Sequence, residues 1–207
     1  MTLTVGSGQC QREAVANVFI APTASIDQLV IEDPSCQETT GSATLTTAGW
    51  VIGESGMVTV SQNGFSQWHA LEYDNTYAKP VVVMQSLTSG DINPAHVRVR
   101  NVGHRNLEFQ IEEWDYQNGV HGAENISYVI LEQGVHTLSD GTVMEAGYAN
   151  VGASFSTISL NGGYTSTPVV LSQVVSDNYT RSVVTRQRSV GTTSFQVRLQ
   201  NKESYEK

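Results

Sequence analysis

What this sequence has little of narrows its reading at the outset. Basic residues are scarce: 11 Lys and Arg stand against 20 Asp and Glu, a net charge of −9. A surface of that sign repels a phosphate backbone or an anionic membrane surface, so nucleic acid is not an expected partner. No apolar run approaches the roughly 20 residues of a membrane-spanning helix, and membrane insertion is not expected either. The opening MTLTVGSGQC lacks the basic and apolar regions of a signal peptide, so an exported protein would have its signal removed or placed upstream. Only two cysteines occur, Cys10 and Cys36, in a polar, loop-like stretch. In an oxidising compartment a disulfide would close that stretch and contribute about 3 kcal/mol on the loop-entropy model. Two unpaired thiols are the alternative. The chain also has no G-x-x-x-x-G-K-[ST], G-x-S-x-G, H-E-x-x-H or C-x-x-C, which leaves an enzyme reading without a motif.

What is present is β-forming text written twice. Thr, Val and Ser are abundant and turn residues, including 18 glycines, space them; helical periodicity is poor throughout. The stretch from Pro80 to Tyr116 returns in degraded form from Pro168. Pro80 and Pro168, Gln85 and Gln173, Arg98 and Arg186, Arg100 and Arg188, and Gly103 and Gly191 are all 88 apart. Trp68 aligns with Phe155 and Tyr77 with Tyr164 at 87, so one residue is inserted before the proline, as loops allow. Each copy begins with an apolar run at a proline, which suits a strand start or edge. Each ends in strict alternation: Leu107, Phe109 and Ile111 against Glu108, Gln110 and Glu112, then Phe195, Val197 and Leu199 against Gln196, Arg198 and Gln200. Such alternation requires one buried face.

These patterns predict an all-β protein of two tandem antiparallel β-sandwich modules. TLTTAGWVIGESG from Thr44 and TLSDGTVMEAG from Thr137 open the two copies, giving a first repeat over 44–136 and a second over 137–207. Strands are expected near 49–53, 57–60, 66–72, 80–88, 96–102, 107–115 and 125–132, with a short one at 29–31. Residues 1–9 read as a flexible start within an N-terminal strand and linker, 1–43. The second copy lacks a counterpart of HGAENISYVILEQ, but EAVANVFI from Glu13 matches ENISYVIL from Glu124. Residues 12–20 are therefore expected to complete the second module or to be donated to a neighbouring molecule in a homo-oligomer. An array cut in mid-repeat is the other outcome.

Several residues carry candidate chemistry. His121 and Glu124 form H-x-x-E, yet spacing three on a strand points two side chains to opposite faces, so His121 is expected to be a solvated loop residue. Glu112, Glu113, Asp115 and Glu124 include enough carboxyls for glycosidic acid–base work, but read better as an acidic rim. Asp74, Asn75, Asp91 and Asn93 offer oxygens of the kind calcium takes. DNTY and GDIN do not match EF-hand spacing, so no cofactor is expected beyond a structural calcium ion. Trp114, continuing the alternation beside Glu112, either stacks a sugar or lids the core. Arg98 and Arg100 share one face and would pair with Glu108 and Glu112 or hold a ligand's carboxylate or sulfate.

The set P-V-V-V-x-Q, R-x-R-N-V, L-x-F-x-I-x-E-W-D and H-x-x-E-x-I-x-Y-V-I resembles the H-type lectin-like β-sandwiches and related repeats of secreted or surface-attached bacterial polysaccharide-handling proteins. The likeness covers about 44–136 well and 137–200 less well. It implies six-stranded antiparallel sandwiches, trimers or hexamers, and sugars at subunit junctions near Trp114, Asp115 and Tyr116. The second copy departs there, with Lys202, Glu203 and Ser204 at the matching places. The expectation is a non-catalytic polysaccharide- or glycan-binding module of a secreted or cell-surface protein, with Trp114, Asp115, Tyr116, Arg98, Arg100 and Glu112 as ligand residues. The alternative is a spacer or adhesin repeat with no small ligand; a fragment of a glycan-degrading enzyme is third.

Overall fold

The computed structural model describes residues 3–5, 12–14, 30–31, 43–47, 50–85, 88–117 and 119–201, those before residue 51 as backbone only. The described chain is all β, and no helix in it is long and apolar enough to cross a membrane. Strands β3 (Val30–Ile31), β4 (Ala43–Thr47), β5 (Trp50–Asn63), β10 (Val120–Glu132) and β7 (Pro80–Gln85) form an antiparallel sheet in that spatial order. Strands β6 (His69–Glu72), β9 (Asn106–Glu113) and β8 (Ala95–Arg100) form a second. The two sheets share one core. Leu107, Phe109 and Ile111 of β9 are 1 % exposed, and Ile126 and Ile130 of β10 and Met84 of β7 are fully buried. Burying each such side chain is worth roughly 1.5–3 kcal/mol.

The remaining elements repeat part of this plan. A hairpin of β11 (Gly134–Thr137) and β12 (Val143–Ala146) is followed by a sheet in the order β13 (Ser156–Ser159), β15 (Ser194–Asn201), β14 (Val183–Arg188). The offset of 88 reappears in the pairing: Arg98 faces Gln110 and Arg186 faces Arg198; Arg100 faces Glu108 and Arg188 faces Gln196. It reappears in the turns as well. Asn101 and Ser189 both sit in the left-handed region, at φ 48° and 52°. The Arg100 guanidinium lies 4.0 Å from the Trp68 ring centre, and that of Arg188 lies 3.7 Å from Phe155.

Four expectations change. The expected strands near 49–53 and 57–60 are one strand, β5, because Gly53 and Gly56 are not turn residues. A Cβ at Gly56 would collide with the Tyr128 phenol from β10, so glycine there makes room for a neighbour within the sheet. The start of the chain is not featureless: β1 (Leu3–Val5) pairs with β2 (Arg12–Ala14). Of the stretch 12–20, the described part thus lies on β1 and not on the second repeat; residues 15–20 lie outside the described residues, as do Cys10 and Cys36. Finally, 168–173, the counterpart of β7, forms no strand. The strand that would pair with it, as β10 pairs with β7, has no equivalent among the described residues of the second repeat.

Candidate functional site

Of the six expected ligand residues, Arg98, Arg100 and Asp115 bond to the second repeat, Glu112 bonds to Arg98, and Trp114 lies against His96. Arg98 lies on β8 between Val97 and Val99, which point into the core. Alternation sends its side chain to the other face, where loop 176–182 of the second repeat covers it to 2 % exposure. Its guanidinium donates to the carbonyls of Ser176 at 2.7 Å, Tyr179 at 2.8 Å and Arg181 at 3.3 Å, and to Glu112 Oε2 at 3.2 Å. Planar donors matched to several acceptors suit arginine and not lysine. The Arg98 donors are thus engaged within the chain.

The neighbours share this work. Arg100 donates to Glu108 at 2.6 Å and to Asp177 at 2.8 Å. Glu112 also lies 2.8 Å from His96 Nε2, off the line of a hydrogen bond, since neither ring nitrogen of His96 has such a partner. Asp115 accepts from the Ser182 amide at 3.1 Å. Trp114 is half-buried with its ring 5.5 Å from that of His96, partway between the sugar-stacking and lid readings. Tyr116 is exposed, at 57 %, as is Asp115.

Two equivalent glutamines complete the joint. The Gln173 side chain accepts from the Met84 amide at 3.0 Å and donates to the Val97 carbonyl at 2.6 Å, bridging the outer edges of β7 and β8. Gln85 donates to the Ser172 carbonyl at 3.1 Å. Because Gln85 and Gln173 are 88 apart and Met84 is the counterpart of Ser172, the repeats meet edge to edge in a near-symmetric manner. The contact also covers strand edges that would otherwise invite foreign pairing. An open cleft of about 400 Å³ remains there, bordered by His96, Val97, Gln173, Val174 and Val183.

The acidic residues expected at a rim are partly interior. Glu113 and Glu124 are 1 % exposed and flank His121, itself 3 % exposed; its Nδ1 and Nε2 lie 3.2 Å from one oxygen of each. His121 is thus a buried strand residue, not a solvated loop residue. The opposite-face argument fails because of a bulge: His121 pairs with Gln62 and Glu124 with Val60, so three steps on β10 match two on β5 and both side chains face one way. Gly90 packs on the bulge so closely that a Cβ would strike the Ala123 carbonyl.

Glu124 holds the loop after β7. It accepts from the Gly90 and Asp91 amides at 2.9 and 3.0 Å and from the Thr88 hydroxyl. Burial pushes its pKa up, but the donors of Thr88, Gly90, Asp91 and His121 outweigh burial and hold it below the ordinary value of 4.5. A carboxyl that ionises more readily folded than unfolded stabilises above its unfolded pKa, and that contribution fades as pH falls through the lower folded value. Urea melts should accordingly show a decline in stability through and below about pH 4.5 that Glu124→Gln makes shallower. An acid limb of equal slope in both proteins would contradict this.

Of the oxygens considered for calcium, both carboxylate oxygens of Asp91 have protein partners. Asp91 accepts from the Asn93 and Gly122 amides and Asn93 donates to Glu113. The Asp74 and Asn75 amides donate to Glu54, a carboxylate 1 % exposed. Among the described residues no group of three or more His, Cys, Asp or Glu side chains is placed to hold a metal ion. Glu54 was missed by motif reading, yet it has a repeat partner: Glu145, 91 residues on, accepts from the Asn161 and Gly162 amides, the counterparts of Asp74 and Asn75.

Against known proteins, no family model matches the chain and no solved structure matches it. Halomucin of Haloquadratum walsbyi is 30 % identical over 154 residues, 70 % of this chain. The chain spans only 2 % of halomucin's length.

Proposed function

We propose that this chain is a non-catalytic structural segment of an extracellular surface protein, two β units in tandem whose joint fixes their spacing. The observation that carries the reading is the engagement of Arg98 and Asp115 by the second repeat: both are bonded to loop 176–182, and Glu112 is taken up by Arg98. Similarity to a small part of a much longer protein fits a unit used within an array. An excess of nine negative charges keeps such units from sticking to one another.

One observation favours a second reading, glycan binding of the H-type lectin kind: Tyr116 stays largely exposed beside half-buried Trp114 at the end of β9, an aromatic surface that stacks sugars well. A glycan array probed with the whole chain separates the two. The spacer reading expects no saturable binding by wild type. Binding that Tyr116→Ala abolishes, with the melting temperature unchanged, would establish the lectin reading in its place.

A further inference from the structure

We propose that Asn178 is a site of N-linked glycosylation, taking its sugar from a lipid-linked glycosyl phosphate, and that the fold keeps the chain's other acceptor sequence out of the same reaction. The inference rests on the extracellular part of the reading above, because such acceptors belong to surface loops of exported chains. Two stretches have the Asn-x-Ser/Thr pattern: Asn125-Ile126-Ser127 and Asn178-Tyr179-Thr180. The pattern acts as an acceptor only where an enzyme reaches both the asparagine amide and the hydroxyl two residues on. What surrounds each stretch therefore separates them.

Asn178 lies at a bend of loop 176–182, within a run, 177–181, that is exposed throughout. The loop is held by its backbone: the carbonyls of Ser176, Tyr179 and Arg181 face Arg98, and the Ser182 amide donates to Asp115. The side chains at 178 and 180 are left to solvent, and among the described residues neither makes a hydrogen bond. The offset of 88 shows that this position is open in the second repeat and closed in the first. The counterpart of Asn178 is Gly90, where a Cβ would strike the Ala123 carbonyl of β10. Among the described residues of the second repeat no strand takes that place, so an asparagine and the sugar beyond it have room.

Asn125 is held differently. It sits on β10, which runs between β5 and β7. Its side chain accepts from the Thr59 hydroxyl at 2.6 Å and its backbone amide donates to the Thr88 hydroxyl at 2.9 Å. Ser127 is paired with Met57 on one side and Gln85 on the other. A stretch bonded in this way bends into an enzyme's site only if the sheet opens, and central strands open at close to the free energy of global unfolding. At Asn178 the reaction needs no such opening. The side-chain Nδ2 forms a bond to the anomeric carbon of the sugar, and the bond from that carbon to the phosphate oxygen breaks. The lipid phosphate leaves with the electron pair and the amide gives up one proton. The product places a bulky, hydrated group on an exposed loop of the kind proteases nick.

Mass spectrometry of the full chain made in its native cells tests this, with protein recovered outside the cells kept apart from protein retained inside. Peptides containing Asn178 from the outside fraction should be heavier than the bare sequence by whole sugar residues. Asn178→Gln should lose all N-linked sugar from the chain, with an unchanged circular dichroism melt, while Asn125→Gln should keep it. A bare Asn178 in protein recovered outside the cells overturns the proposal and leaves the extracellular reading standing. Protein found only inside the cells overturns both. Sugar on Asn125 as complete as on Asn178 overturns the selection by the fold, because the chain is then modified before β10 forms.

Discussion

Replacing Arg98 with alanine should destabilise the protein by about 3–5 kcal/mol, while Arg186→Ala should change stability by less than about 0.5 kcal/mol. The two arginines occupy equivalent places on β8 and β14 and would be scored alike by sequence. Arg98 is sealed by loop 176–182, and its removal leaves three carbonyls and Glu112 without their donors in a site water barely reaches. Arg186 is exposed and bonds to Gln200 at 3.1 Å. For a chain of this length the first loss corresponds to a fall in melting temperature of about 10 °C, readable by circular dichroism or calorimetry. Arg98→Lys should lie between, since one ammonium keeps the charge but does not reach the Ser176, Tyr179 and Arg181 carbonyls together. Equal effects at the two positions would mean that the joint contributes nothing beyond an ordinary surface pair.

How much of this was legible in the sequence depends on the range of each interaction. The alternation of β9 gave its core residues Leu107, Phe109 and Ile111 directly, because side-chain direction on a strand has period two, whereas on β15 only Val197 of the apolar set is buried. The offset of 88 located equivalent residues whose pairing the structure repeats, including the stacking of Arg100 on Trp68 and Arg188 on Phe155. The same period misled at His121, since a bulge adds one residue and inverts every inference made across it. Glycines misled at β5, where they relieve crowding between strands and no local pattern reveals that. The fate of Arg98 was not legible at all: its partners lie about 80 residues away on a loop whose approach follows from how two units pack. Outward-facing on its own strand and buried by its neighbour is a distinction that alternation cannot make.

The Glu54 clasp joins both sides of this problem, and Glu54→Gln should cost about 2–4 kcal/mol, with Glu145→Gln well under half of that. Glu54 sits on β5 where the strand passes the loop after β6. Its two oxygens accept from the Asp74 amide at 2.9 Å, the Asn75 amide at 3.0 Å, the Asn75 side chain at 2.7 Å and the Tyr77 hydroxyl at 3.0 Å. Charge-assisted bonds of this kind are about twice as strong as neutral ones. An amide of the same shape keeps one acceptor and turns an NH₂ group toward donors, so buried N–H groups lose their partners. Burial and the Glu54 charge also hold the Tyr77 phenol protonated far above its ordinary range, which keeps that donor in place. Glu145 makes the matching contacts to Asn161 and Gly162 from a half-buried position, where water replaces what the substitution removes. Urea melts of the two variants give the stability difference. Amide exchange at Asp74 and Asn75 should quicken in Glu54→Gln before the rest of the first repeat does; a uniform change across β6, β8 and β9 would show that Glu54 acts through the core and not through the loop it binds.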